Sequence, residues 1–311
     1  MTDRLIVTDL AALDVTRIGG PARIGTAAEG TLTVAPLVGE GVALGAFQRA
    51  RSTLDLAKLE GSGLSLVRRA TGGPALRVGR GQIHLSLSLS RPEAFGGVAD
   101  PNRALNRHVR PLLRALEAIG KPTTFGGRDI LLMGASPIAW VGLGHRVADR
   151  STTLEAIVSV RTPFGLPTDL DLAYGAIAPR FLGRAPSTLE GVLGREIDAS
   201  AVVSAIVAAY GLAASETQRA DAPTLAMTRV DADEPPFTAM VEEAIGLLGV
   251  RRDGDRLTFG GDLFASTDAL DRLGLTLARA STDEAVDEAF EGAMLMGVKD
   301  RGAFVRLARA V

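Results

Sequence analysis

Residues 66–90 read LVRRATGGPALRVGRGQIHLSLSLS. An apolar run ends in Arg68 and Arg69, Gly72 and Gly73 mark a turn, and a second strand pattern follows. In that second pattern His84, Ser86, Ser88 and Ser90 fall on one face while Leu85, Leu87 and Leu89 fall on the other. This period of two predicts a half-buried antiparallel strand. Two guanidiniums beside a flexible glycine turn offer an anion clamp, because charged forks and backbone N–H groups converge on phosphates and carboxylates. The plain alternative is a hairpin carrying two solvated arginines. A P-loop is excluded, since no Lys-Ser or Lys-Thr follows the glycines, and the dinucleotide fingerprint is also missing.

Outward from this stretch, residues 31–47 (TLTVAPLVGEGVALGAF) read as two short strands broken by Pro36 and the Gly39–Gly41 turn. In PNRALNRHVRPLLRALEAIG, the spacing of Leu105, Val109, Leu112, Leu116 and Ile119 predicts a helix with Arg103, Arg107, Arg110 and Arg114 turned outward. Pro111 should divide or kink it, and Gly120 should stop it. DILLMG and TTLEAIVSV read as strands, with ASPIAWVGLGHRVADR as the loop between them. Ser187 and Glu190 form a capping-box pattern, and Asp198 precedes the helix SAVVSAIVAAYG. The polar, proline-punctuated ASETQRADAPTLAMTRVDADEPP is the linker candidate. Beyond it FTAMVEEAIGLLG reads as helix, DRLTFGGDLF as strand with a glycine turn, and two amphipathic stretches close the chain. A larger sheet-containing domain followed by a small α+β domain fits a chain of 311 residues.

Composition narrows the chemistry. With 34 basic and 36 acidic residues the formal net charge is −2, so no global field favours nucleic acid or an anionic membrane, and any anion site is local. There is no cysteine, which removes disulfides, thiolate metal sites and cysteine nucleophiles. The acid-bearing start lacks the pattern of a signal peptide, and no apolar run approaches the ~20 residues of a membrane helix; a cytoplasmic protein is expected. His84, His108 and His145 have no ligand spacing, so no metal site is expected. Ser62, Ser65 and Ser136 lie in no nucleophile elbow. Trp140, the only tryptophan, is either a pocket wall or a buried anchor for its loop.

The ordered set VALGAFQ, LVRRATGGPA, GQIHLSLSL, HVRPLLRALEAIG and GRDILLMGASPIA resembles the lipoate-protein ligase A family, in the superfamily shared with biotin ligases and octanoyltransferases. The resemblance continues through PSTLEGVLG and DASAVVSAIVAAYG into DRLTFGGDLFASTDALDRLG. It implies an α+β fold: a mostly antiparallel sheet flanked by helices over residues 1–220, a linker over 221–236 and a small α+β accessory domain over 237–311. Family members join lipoate to ATP and pass the acyl group from lipoyl-AMP to a lysine of a carrier domain. The implied ligands are therefore ATP with Mg and lipoate or octanoate, and the implied partner is a lipoyl carrier domain. Bringing a carboxylate to an α-phosphate requires cations and N–H donors to offset the developing charge.

Carried over position by position, the resemblance implies a ligand-binding set of Gln48, Arg68, Arg69, Thr71, Gly72, Gly73, Pro74, His84, Asp129, Ile138 and Trp140. Several positions depart from the family pattern. Pro74 stands in place of a third glycine and removes a backbone donor. Val78 stands for a histidine, His84 for an asparagine and Trp140 for a small glycine. Pro137 stands where the family has its catalytic lysine, so no catalytic residue is assigned. The chain's lysines are Lys58, Lys121 and Lys299; Arg128 or Arg146 would bring a bulkier, forked cation. The acyl-cysteine route of the octanoyltransferases is closed. Three readings stay open: a divergent or non-catalytic protein holding an acyl chain or acyl adenylate, an active ligase using arginines or a relocated lysine, and an interaction protein with a filled cleft.

Overall fold

The structure is a computed structural model describing residues 4–20, 30–172, 180–221, 225, 227, 230–243, 246–279, 282–298 and 300–311. Strands β1 (Arg4–Asp9) and β2 (Leu13–Asp14) precede β3 (Gly30–Val38) and β4 (Glu40–Leu44). Short helices α1 (Ala50–Thr53) and α2 (Leu56–Ser62) lead to β5 (Ser65–Arg68), β6 (Leu76–Gly79) and β7 (Gln82–Leu89). Then come α3 (Pro101–His108), α4 (Arg110–Ile119), β8 (Thr123–Phe125), β9 (Ile130–Met133), β10 (Ser136–His145) and β11 (Thr152–Ser159). Helices α5 (Leu189–Leu193) and α6 (Ala199–Gly211) and strand β12 (Glu216–Ala220) follow. The C-terminal lobe contains β13 (Ala239–Glu243), β14 (Gly246–Asp253), β15 (Arg256–Gly261), β16 (Phe264–Ala265), α7 (Thr267–Leu277), α8 (Asp283–Ala289), β17 (Leu295–Met296) and α9 (Gly302–Arg309).

The main sheet has the order β12-β1-β3-β7-β11-β10-β9-β8, with β2 also on β3. Its centre from β3 to β8 is antiparallel, while β12, β1 and β3 run parallel. Register explains its two faces. Leu32, Leu87, Leu154 and Leu143 form one cross-strand row, and Val34, Leu85, Ala156 and Val141 the next. This apolar face is backed by α6, which packs against both β3 and α4. On the other face Thr33, Ser86, Glu155 and Gly142 form a row, followed by Ala35, His84, Ile157 and Trp140. The arginine–glycine segment crosses this second face beside a smaller sheet, β5-β4-β6. Every residue of β7 is consequently buried, so the serine–histidine face is not the solvent face that alternation predicts.

Other expectations are also corrected. Pro36 does not break its strand; it pairs with Ile83 inside β3. The segment read as a loop after DILLMG is the ten-residue strand β10. Thr188, not Ser187, caps α5 by accepting from the Gly191 N–H. Part of the polar segment before the C-terminal lobe, Glu216–Ala220, is an edge strand. FTAMVEEAIGLLG contributes strands β13 and β14, not a helix. The divided helix agrees with expectation: α3 ends at His108, α4 begins at Arg110, and Pro111 occupies its first turn, where a missing N–H costs nothing. Asp198 caps α6 through the Ser200 N–H. Among the described residues no helix is long and apolar enough to cross a membrane.

The C-terminal lobe docks onto the first through β-type contacts. The Gly261 N–H donates to the Phe47 carbonyl at 2.9 Å, His145 and Ser266 form a parallel bridge, and Leu263 and Phe264 join the same buried core as Trp140 and Leu143.

Candidate functional site

Strand β5 ends at Arg68, and the chain brings Arg68 and Arg69 to the edge of the polar face with their side chains on opposite sides. Arg69 is 2% exposed. Its Nη1 donates to the Ala43 carbonyl at 2.6 Å, and its Nη2 to the carbonyls of Gly72 and Pro74 at 3.2 and 2.8 Å. The guanidinium lies 4.1 Å from the centroid of the Trp140 ring, a cation–π stack. Burial pushes its pKa down to about 10, against the pull of Glu155, Asp129 and Asp262, so it remains cationic at neutral pH. Arg69 therefore staples the glycine loop from beneath, its guanidinium donors Nη1 and Nη2 committed to backbone carbonyls.

Thr71 anchors the same loop to the sheet. Its N–H and its hydroxyl both donate to Glu155 Oε2, at 2.8 and 2.7 Å. His84 Nε2 lies 3.4 Å from the other Glu155 oxygen. Burial disfavours the Glu155 carboxylate, but hydrogen bonds from His84 and Thr71 and the charge of Arg69 prevail and hold its pKa below the ordinary value.

The glycines are required by what presses on them. Gly73 has φ of 95°, and a Cβ there would meet the Phe264 and Trp140 rings at 3.0 Å. A Cβ on Gly72 would collide with the Leu263 carbonyl oxygen, and one on Gly142 with the Trp140 ring. The Gly73 N–H, a donor that the anion-clamp reading assigns to a ligand, points to the Leu263 carbonyl at 3.2 Å. Trp140 is thus a buried anchor in a strand, with the ring of Phe264 beside it over the loop.

Gln48 belongs to a second junction. Its Oε1 accepts from the Gly45 N–H at 2.9 Å and its Nε2 donates to Asp262 Oδ1 at 2.5 Å. Asp262 also accepts from Arg180 Nη1 at 3.1 Å and from the Leu247 N–H at 3.0 Å. Arg180 in turn is bidentate to Asp171, at 2.8 and 3.1 Å. Glu155, Asp262, Arg180 and Asp171 were not singled out by sequence; each is an isolated charge there, and only the fold brings it to its partner.

Asp129 is 1% exposed and its carboxylate oxygens make no hydrogen bond among the described residues. Arg128 Nε approaches at 3.5 Å. Burial drives the Asp129 pKa up to about 6, opposed first by Arg128. Trp140 Nε1 and Arg69 Nε are likewise buried without a partner among the described residues. Pro137 and Ile138 are buried in β10, where the Pro137 carbonyl accepts from the Ser187 N–H at 2.8 Å. Lys58 pairs with Asp55, Lys121 donates to the Val192 carbonyl, and Lys299 lies outside the described residues. Arg146 pairs with Asp149. No group of three or more His, Asp or Glu residues among those described is arranged to hold a metal ion.

Arg68, the remaining member of the expected set, faces away from this interior. Its Nη1 donates to the carbonyls of Gly45 and Gln48 at 3.0 and 2.5 Å, and its Nη2 lies 3.4 Å from Glu234. The structure thus gathers Arg69, Thr71, Gly72, Gly73, Pro74, His84 and Trp140 into one buried unit, joins the Gln48 side chain to the C-terminal lobe, and places Arg68 outside the buried unit, against the Gly45 and Gln48 carbonyls.

An arginine-led glycine loop seated on an antiparallel sheet, with helices behind and a small lobe docked on the loop, has the α+β architecture of lipoate ligase catalytic domains. Residues 39–161 match the lipoyl protein ligase A/B catalytic domain. The fold is shared with P. falciparum LipL1 in complex with lipoate, at 9% identity and a TM-score of 0.58, covering 99% of this chain and 98% of that one. It is also shared with the bipartite lipoate protein ligase of the Thermoplasma acidophilum lipoylation system, analysed along with its E2 lipoyl domain, at 15% identity and a TM-score of 0.56, covering 72% and 88%. A lipoate-protein ligase A bound with ATP gives 15% identity and a TM-score of 0.54, covering 72% and 90%. No curated protein matches the sequence.

Proposed function

We propose that this chain is a non-catalytic member of the lipoate ligase fold, a cytoplasmic interaction protein whose cleft is filled by its own side chains. The observation that carries the reading is Arg69: its guanidinium is buried, stacked on Trp140 and committed to the carbonyls of Ala43, Gly72 and Pro74. An anion could recruit it only by breaking those bonds. Pro137 at the family's lysine position, and the Gly73 N–H given to Leu263, point the same way. In this reading the chain divides into residues 1–220, 221–236 and 237–311. The natural partner in this reading is a lipoyl carrier domain, as in the T. acidophilum pair, bound without acylation.

The test is incubation with ATP, Mg, lipoate or octanoate and a lipoyl domain. No pyrophosphate release and no carrier acylation is the expected result. Turnover that disappears in Arg69→Lys would overturn the proposal.

A second reading is favoured by one observation. Asp129, Trp140 Nε1 and Arg69 Nε are buried polar groups without hydrogen-bond partners among the described residues, and burying such groups costs about 1–3 kcal/mol each. A ligase whose C-terminal lobe swings off the glycine loop would expose them to acyl adenylate. Calorimetry with a non-hydrolysable lipoyl-AMP analogue separates the two: saturable binding that strengthens in Phe264→Ala belongs to the second reading, and silence belongs to the first.

A further inference from the structure

On the far side of the arginine pair, a cavity of ≈ 260 Å³ lies between the turn at residues 46–49 and the C-terminal lobe. Arg49, Arg68 and Glu234 line it together with Phe237, Phe259 and Leu270. We propose that this cavity is a binding site for a compact anionic group carried on an aromatic or aliphatic body, and that Glu234 holds the place of that anion in the free protein.

Three features support this. Arg49 is 7% exposed and held by the Pro235 carbonyl, so its largely shielded charge attracts an anion without depending on one for its position. Among the described residues one carboxylate serves it and Arg68: Glu234 sits 3.6 Å from Arg49 Nε and 3.4 Å from Arg68 Nη2. These distances exceed the roughly 2.7–2.9 Å of a well-formed charge-assisted hydrogen bond, whereas the same two arginines approach backbone carbonyls closely, Pro235 at 2.6 Å and Gln48 at 2.5 Å. Glu234 is thus loosely held between two cations that the backbone has fixed in place. Its segment is a strap, tied to α1 by Arg51 on Ala232 and Asp233 and by the Phe237 N–H on Ser52. Finally, the apolar body has a surface to rest on: Phe237, over which Arg49 stacks at 5.3 Å, and Phe259. Asp271, the other acid lining the cavity, is neutralised by Arg256. Replacing the single charge of Glu234 by a phosphate dianion would match two guanidiniums with two negative charges.

The site is separate from the Arg69 interior, so its fate is independent of whether the protein forms an acyl adenylate. The probe is phenyl phosphate, titrated by calorimetry and by NMR against the full chain, with inorganic phosphate and phenol as its two halves. The expected result is millimolar binding to the wild type that weakens with salt, and at least about tenfold tighter binding to Glu234→Gln, in which the resident carboxylate is gone. Arg49→Gln should abolish binding; if that variant does not fold, Arg68→Gln replaces it. The proposal falls if phenyl phosphate does not saturate Glu234→Gln, if wild type and Glu234→Gln bind equally, or if inorganic phosphate binds as tightly as phenyl phosphate.

Discussion

The two sides of the arginine pair make a controlled comparison. Arg68 ends β5 and Arg69 follows it directly with the same charge, yet Arg69 is 2% exposed while the Arg68 side chain keeps 21% of its surface. On the inner side every neighbour is part of the fold: Trp140 below, the loop carbonyls around and Glu155 as the charge partner. On the outer side Arg68 commits Nη1 to the Gly45 and Gln48 carbonyls, while Nη2 faces a cavity and a loosely placed glutamate. A cation acts on a ligand only where the fold leaves some of its donors uncommitted, and here one step along the chain decides that.

Breaking the inner side should have the largest effect. Arg69→Met removes the staple and leaves three carbonyls and the Glu155 charge buried without it, a loss of about 3–5 kcal/mol. Arg68→Met should cost about 1 kcal/mol, since water reaches its partners. Urea unfolding of both variants measures the gap, and equal losses would erase the distinction between the two sides.

Asp129 sharpens the comparison from the opposite direction, because it is an inner charge that the fold tolerates poorly. Its folded pKa of about 6 lies above its ordinary 3.8. Between those values the folded protein binds more protons than the unfolded chain, so stability contributed by protonated Asp129 is full below about 4 and is lost as pH rises through about 6. Asp129→Asn should therefore stabilise the protein at pH 7 by about 2–3 kcal/mol and flatten the stability profile between about pH 4 and 6. Glu155, held below its ordinary pKa, acts the other way: its contribution is present above the ordinary glutamate pKa and is lost as pH falls further.

Much of this architecture was legible, and the illegible parts share a cause. The 3.6-residue stripe of α3 and α4, the period of two in β7 and the glycine turn after Arg69 are local patterns, and local patterns survive in sequence. Strand β10 was hidden because Pro137, Gly142 and Gly144 are loop signals, yet Gly142 is small so that Trp140 can lie across it. Strands β13 and β14 were hidden because MVEEAIGLLG is rich in helix formers, and pairing with β15 overrides that preference. The site was hidden most. Glu155 in TTLEAIVSV looks like the solvent-facing acid of an amphipathic strand, and nothing near it names Thr71, 84 positions away. Asp262 lies 214 positions from Gln48. Such pairings are made by tertiary contact alone.

The glycine loop offers a third test. Gly72→Ala directs a methyl group into the Leu263 carbonyl, and relief requires the C-terminal lobe to move. Overpacking of this kind costs about 1–3 kcal/mol, and limited proteolysis should show earlier cleavage between the lobes. An unchanged digestion pattern would mean that the lobe does not rest on the loop as tightly as the Arg69 side requires.

The smallest stability effect belongs to the outer side and is the most informative. Glu234 is 32% exposed on its side chain and its ion pairs exceed 3.3 Å, so Glu234→Gln should change stability by no more than about 0.5 kcal/mol. Thermal melting of the variant checks this. A carboxylate that contributes structurally would show a clear drop in melting temperature, whereas one that merely occupies an anion position leaves folding intact when it is removed. A near-silent melting curve together with a large change in phenyl phosphate affinity would separate the two sides completely: the inner arginine serves the fold, and the outer pair serves a ligand.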